Sequence, residues 1–285
     1  MEKMIPSFIS EISSEMKNAA INALENEKFI FGESVFKFEE EFAKYIGTKY
    51  AISVNSGSSA LFLSLLSKDI GKNSKVITST NSFVASANTI LMAGAQPILA
   101  DVHNEDGNLN INNLDKNVDA IIPVHIYGNP CDFDSVKEFT EENSIPIIED
   151  ACQAHGAMYK GKKVGTLSDA TTFSFNVMKS LGGFGEAGAV TTNNKKIYEM
   201  VKMLRYTGTK SDPKKIITNE CYHVALNHKI DTLQAAMLLV ILKNFKKKMR
   251  RRLEIAKLYN KELNDYVTCP VIESKDCVHG LYTYA

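Results

Sequence analysis

Apolar and polar positions alternate along this chain with two different periods, and the change of period marks its elements. Over residues 10–26, Ile12, Met16, Ala19, Ala20, Ala23 and Leu24 recur at helical spacing and predict an amphipathic helix. A second helix is predicted over 34–46, with Ser34 as N-cap, Val35, Phe38, Phe42 and Ile46 as the apolar stripe, and Gly47 as the stop. Short apolar runs then alternate with helical ones: YAISVN and SSALFLSLLSKD, KVITST and SFVASANTILMAG, PILADV, DAIIPVHIYG and FDSVKEFTEEN, then IPIIED. This alternation predicts an α/β fold, a three-layer α/β/α sandwich whose mostly parallel mixed sheet binds ligands at the carboxyl ends of its strands. Further on, Tyr159–Gly165 reads as a hairpin turn, Asp169–Phe175 and AGAVTTN as strands, 194–206 as a helix, and 209–221 as an irregular polar connection. The run ALNHKIDTLQAA (225–236) is expected to open a long helix that continues, with a bend, to about 263.

Composition narrows the class. A chain of 285 residues buries one large core, or one core plus a small second lobe. With 33 basic and 33 acidic residues there is no net field to draw in nucleic acid. The basic run Lys243–Arg252 lies over Ile241, Phe245, Met249 and Leu253, which recur every four residues, so it reads as the solvated face of an amphipathic helix. The five cysteines form no C-x-x-C pair and are odd in number, which argues against a disulfide framework and a zinc site. No metal is expected, and reduced thiols fit the cytoplasm. The N-terminus has no apolar core of signal-peptide length, and the longest apolar run, 235–242, is too short to cross a bilayer, so no membrane partner is expected.

Candidate chemistry gathers around FSFNVMKSLGGFGEAGAV (173–190), where Lys179 follows a strand-like run inside a glycine-rich loop. An amine partly withdrawn from water loses some preference for its charged form, and the free amine attacks aldehydes to form a Schiff base. Asn55-Ser56-Gly57-Ser58-Ser59 ends the first strand and opens a helix, where backbone N–H groups and small residues make an anion site. Asp150 ends a short buried strand, and its neighbour Glu149 must face the other way. The glycines from 183 to 188 satisfy G-x-G-x-x-G, but a strand follows rather than a helix, so a dinucleotide site is rejected.

Four stretches, NSGSSAL (55–61), IIEDACQAHGA (147–157), the lysine segment and ALNHKIDTLQAA, together resemble the DegT/StrS-type nucleotide-sugar aminotransferases, from about Ile5 to the last residue. These are fold-type I enzymes dependent on pyridoxal 5'-phosphate (PLP). The resemblance implies that Lys179, five residues after Ser174, carries the cofactor and that Asp150 pairs with its pyridine nitrogen. It further implies that Gly57, Ser58, Ser59 and Ser174 contact the phosphate, that Phe83 stacks on the ring, and that Gln153 sits near the phenolic oxygen. Asn227 would reach the phosphate of the other subunit in a homodimer. His155, in the same motif as Asp150, reads as a packing or hydrogen-bonded histidine. Where relatives have an aromatic residue or serine followed by arginine, this chain has His228-Lys229.

The implied activity moves an amino group from glutamate or glutamine to a nucleotide-linked keto-sugar. Relatives acting as sugar dehydratases have a histidine in place of the lysine, so Lys179 favours transamination. The alternative is a non-catalytic dimer partner or regulator that keeps the PLP fold. The resemblance divides the chain into a PLP-binding large domain (1–245) and the start of a small C-terminal domain (246–285), which it implies is cut short. A strand exposed at 279–285 is expected there.

Overall fold

The computed structural model describes residues 12–112, 114–209 and 220–285. Most of the expected connection over 209–221 therefore lies outside the described residues, as does the start of the helix expected from residue 10.

The strands, in chain order, are β1 (Tyr50–Val54), β2 (Lys75–Ser79), β3 (Gln96–Ala100), β4 (Ala120–Ile122), β5 (Ile148–Asp150), β6 (Met158–Tyr159), β7 (Lys162–Lys163), β8 (Ala170–Ser174), β9 (Gly188–Thr192) and β10 (Cys277–Val278). Parallel bridges Ile121–Ile147 and Val124–Asp150 join β4 to β5, so the main sheet runs β3-β2-β4-β5-β8-β9-β1. Within it only β9 is antiparallel to its neighbours. The expected mostly parallel mixed sheet is thus present.

Period-2 alternation assigns each strand residue to one of two cores. Val76, Ala120, Ile122 and Ile148 pack with α3 (Gly57–Ser67) and α4 (Ala85–Met92), while Ile52, Val54 and Val190 pack with α3 and α6 (Lys195–Arg205). On the opposite face Ile77, Ile121 and Ile147 meet α5 (Phe133–Asn143). There too, Ala51, Phe173 and Ala189 meet α2 (Glu33–Ile46) and α7 (Thr232–Leu263). Three layers result, as the alternation predicts.

Four local expectations are corrected. The N-cap of α2 is Gly32, and Ser34 lies inside the first turn, giving its amide and hydroxyl to Glu27 at 2.7 and 2.6 Å. Helix α1 (Ser14–Asn26) starts after Ile12, which is about half exposed, and it buries Met16 and Ala23 but leaves Leu24 about half exposed, because it meets α7 along a narrow seam rather than a broad stripe. The long helix begins only at Thr232 and runs unbroken to Leu263. Before it, Asn55 donates its amide to the His228 carbonyl (2.9 Å), His228 donates its own to the Arg205 carbonyl (3.1 Å), and Tyr206 bridges Asn227. Those long-range bonds claim backbone groups that a helix would need.

The fourth correction concerns the C-terminal segment. Only Cys277–Val278 is strand, paired with β6, and the residues after it are tied down rather than exposed as an open edge. Gly280 donates to the Gly128 carbonyl (2.7 Å), and Tyr282 and Thr283 both donate to that of Tyr127 (3.0 and 3.1 Å). Arg252 of α7 donates Nε to the Leu281 carbonyl (2.8 Å) and Nη2 to that of Tyr282 (3.0 Å).

One ion pair closes the free edge of the sheet. Arg205, 1% exposed at the end of α6, pairs with Glu39 of α2 and donates to the Ser53 carbonyl of β1 at 2.9 Å. Glu39 accepts the Ser53 amide at 2.9 Å, so both backbone groups at this point of the edge strand are satisfied by side chains. Arg205→Leu, which leaves Glu39 without its cation, is expected to lower stability by about 3–5 kcal/mol in urea unfolding. The double variant Arg205→Leu/Glu39→Gln should regain part of that loss.

Candidate active site

The carboxyl ends of the strands and the helix starts above them enclose a cavity of about 470 Å³. The same alternation that splits the cores aims residues into it. Asp150 shares the parity of Ile148, and Ser174 that of Ala170, so both face the side of α3 and α4. Glu149 turns to the other face, where it is fully buried 3.6 Å from His125 Nε2. Asp150 is 6% exposed, and its orientation is fixed from two sides: Ser86 donates to Oδ2 at 2.7 Å and the Cys152 amide to Oδ1 at 3.1 Å. A carboxylate has lone pairs beyond those two bonds, and a buried one demands a positive partner.

Gly57 and Ser58 line the cavity at the start of α3. A Cβ at position 57 would stand 2.7 Å from Ser174 Cβ and 2.9 Å from Cys152 Sγ, so only glycine lets the helix start lie against the end of β8. Ser59 turns away from the cavity. Its amide donates to Ser56 Oγ at 3.0 Å, and its hydroxyl lies 3.0 Å from Ser56 Oγ and 2.9 Å from His228 Nδ1. Gly57 and Ser58 thus keep the first-turn amides available to an anion, with Ser59 bracing them from behind.

Lys179 lines the cavity from a loop that folds back on itself. Its amide donates to the Asn176 carbonyl (2.8 Å), and that of Gly183 to Phe175 (2.8 Å). A Cβ on Gly182 would fall within 2.6–2.9 Å of the carbonyls of Val177, Asn176 and Lys179, so the loop needs that glycine to close. The G-x-G-x-x-G run leads straight into β9, as the rejection of a dinucleotide site requires.

Phe83, 66% exposed just ahead of α4, and Gln153 complete the expected set at the cavity wall. Gln153 Oε1 accepts the Tyr127 amide at 2.7 Å, which leaves Nε2 as its free donor. Asn227 is not brought to this cavity; it lies exposed beside Tyr206, its Oδ1 accepting the Lys229 amide at 3.3 Å. His155 packs among Phe173, Phe175 and Phe245, and burial, reinforced by the charge of Lys179, pushes it down to about 3. Sequence reasoning missed Ser86, Glu186 and Tyr282, which also meet the site. Ser86 and Glu186 stand in stretches already singled out but in positions no motif marks, and Tyr282 arrives by packing with residues far away in the chain.

The cavity therefore offers anion-binding amides and a serine hydroxyl, a buried carboxylate, an amide donor, an exposed aromatic face and a primary amine. That donor set fits a flat, phosphate-bearing aromatic aldehyde with a basic ring nitrogen.

Residues 10–285 match the model of the DegT/DnrJ/EryC1/StrS aminotransferase family. The chain is 37% identical to the uncharacterized protein MJ1066 of Methanocaldococcus jannaschii, over 99% of this chain and 76% of that one. It is 35% identical to the dTDP-3-amino-3,6-dideoxy-alpha-D-galactopyranose transaminase of Aneurinibacillus thermoaerophilus, over 90% of this chain and 71% of that one. Among solved structures, DesV of S. venezuelae superposes with a TM-score of 0.89 at 30% identity, covering 95% of this chain and 73% of its own. The chain belongs to the DegT/DnrJ/EryC1/StrS aminotransferase family, whose cofactor is pyridoxal 5'-phosphate.

Proposed function

We propose that this protein transfers an amino group from glutamate or glutamine to the keto group of a nucleotide-linked sugar. The observation that carries the reading is the convergence of Lys179, Asp150 and the start of α3 on one cavity. Bound there, PLP supplies a carbonyl carbon for the exchanged amino group and an electron sink for the carbanion left when a proton departs. Lys179 Nζ would hold the cofactor at rest and then shuttle the proton between the substrate carbon and the cofactor carbon. The Asp150 carboxylate keeps the ring nitrogen charged. Gly57, Ser58 and Ser174, with Ser59 behind them, hold the phosphate, Phe83 covers the ring face, and Gln153 Nε2 donates to the ring oxygen. Asn227 acts on the cavity of the other subunit in a homodimer, which its exposed position beside Tyr206 leaves it free to do. Residues 1–245 carry this machinery, and those from 246 begin a second lobe. The reading includes a cytoplasmic setting, supported by five free cysteines.

The sugar transaminase among the relatives supports the substrate class, and among the described residues no helix is long and apolar enough to cross a membrane. The test is optical and chemical. Added PLP should produce a visible band, borohydride should fix a pyridoxyl group on the peptide bearing Lys179, and glutamate should convert the band while releasing 2-oxoglutarate. A band that neither glutamate nor glutamine alters would instead favour a non-catalytic partner.

A further inference from the structure

We propose that Tyr282 is a positioning residue for Lys179, its ring face holding the lysine Nζ as an ammonium at the cavity wall during the part of the reaction when that nitrogen is not bonded to cofactor. The proposal rests on the reading of Lys179 as the cofactor-bearing residue. Lys179 Nζ stands 4.4 Å from the centre of the Tyr282 ring, which itself lines the cavity. That distance lies within the reach of a cation on an aromatic face.

The ring is delivered there by several restraints that converge on Leu281 and Tyr282. Leu281 and Tyr127 both adopt left-handed backbone, at φ 49° and 59°, a conformation unfavourable for residues with a branched or bulky side chain. Tyr282 donates its amide to the Tyr127 carbonyl, and Arg252 donates to the carbonyls of Leu281 and Tyr282, one on each side of the Tyr282 Cα. Gly128 makes the approach possible, since a Cβ there would meet the amides of Leu281 and Tyr282 at 3.0 Å. Strained residues gathered around one aromatic ring beside the reactive amine indicate a site held in place for use.

The chemistry explains the use. Lys179 must be neutral to attack the aldehyde and to remove a proton, and charged to give that proton back. The negative face of an aromatic ring attracts a cation, so Tyr282 fixes where the ammonium stands. No bond to Tyr282 forms, and the proton held is the one Lys179 would carry between the substrate carbon and the cofactor carbon.

The rate at which apoprotein captures PLP at one fixed pH reports how well the Lys179 amine is placed, and equilibrium PLP affinity reports the phosphate cradle separately. Asp150, Cys152, His155 and Glu186 also face the lysine or the cavity, and they stay unchanged in every variant. Tyr282→Leu should slow capture by about 2–5-fold, the strength of one such contact, with the affinity for PLP unchanged. Tyr282→Phe, which keeps the face and loses the hydroxyl, should retain the parent rate. Arg252→Met, which loosens the ring without altering it, should slow capture in the same direction and serves should the leucine variant fail to fold. A leucine or methionine variant that captures PLP as fast as the parent, or a phenylalanine variant as slow as the leucine one, overturns the proposal. Failure of the parent to capture PLP would instead strike the reading of Lys179 itself.

Discussion

Lys179→Ala is expected to remove turnover by roughly 10⁴-fold or more, the upper range for losing a positioned acid–base group, here compounded by loss of the cofactor's anchor. The geometry makes the loss specific. The loop around position 179 is closed by backbone bonds of Asn176, Phe175 and Gly183, so an alanine should leave its shape intact. The cradle at Gly57, Ser58 and Ser174 is untouched, so PLP should still bind through its phosphate, though without a borohydride-stable link to the chain. Two measurements check this: mass of the borohydride-treated protein, and half-reaction rate with glutamate with and without an added small amine. Partial recovery by the amine would show that a nitrogen base, and not the fold, had been lost. An alanine variant that exchanges amino groups like the parent would overturn the assignment.

Asp150→Asn is the second large effect, expected to cut kcat by about 10²–10³-fold, the range for breaking one partner of a buried charge pair. An asparagine can keep both existing bonds. Its carbonyl accepts from the Cys152 amide, and its NH₂ donates to Ser86, whose hydroxyl can turn to accept. Packing is therefore preserved while the charge opposite the ring nitrogen disappears, and PLP affinity should fall less than turnover does. Single-turnover kinetics with glutamate, beside a PLP titration, separates the two. Equal losses in both would assign Asp150 to binding alone.

The fold was largely legible because its elements are set by local period. Strands of alternating parity such as Val76-Ile77 and Ile121-Ile122 serve two cores at once, and that pattern is written in consecutive residues. The helix start at 57 was legible for the same reason, since glycine and serine there have a local conformational role. What failed to read was decided by distant partners. ALNHKID has helical composition, yet Asn55 and Arg205 hold its backbone extended. Ile12 and Leu24 match the helical spacing of α1, but the surface of α7 meets only Met16 and Ala23 closely enough to bury them. Within the site, Asp150 ends a recognisable strand and Lys179 follows another in a glycine-marked loop. Tyr282 reaches the same cavity only through contacts with Tyr127 and Arg252, residues far from it in the chain.

The turn at Tyr127–Gly128 has a consequence for remodelling this enzyme. The Tyr127 amide fixes the side chain of Gln153 and the Tyr127 carbonyl fixes the main chain of Tyr282, so two residues of the cavity wall hang on one residue of the turn. A bulkier guest that displaced one would drag the other. Broadening the range of accepted molecules therefore calls for trimming a side chain that projects inward, while leaving that shared suspension point alone.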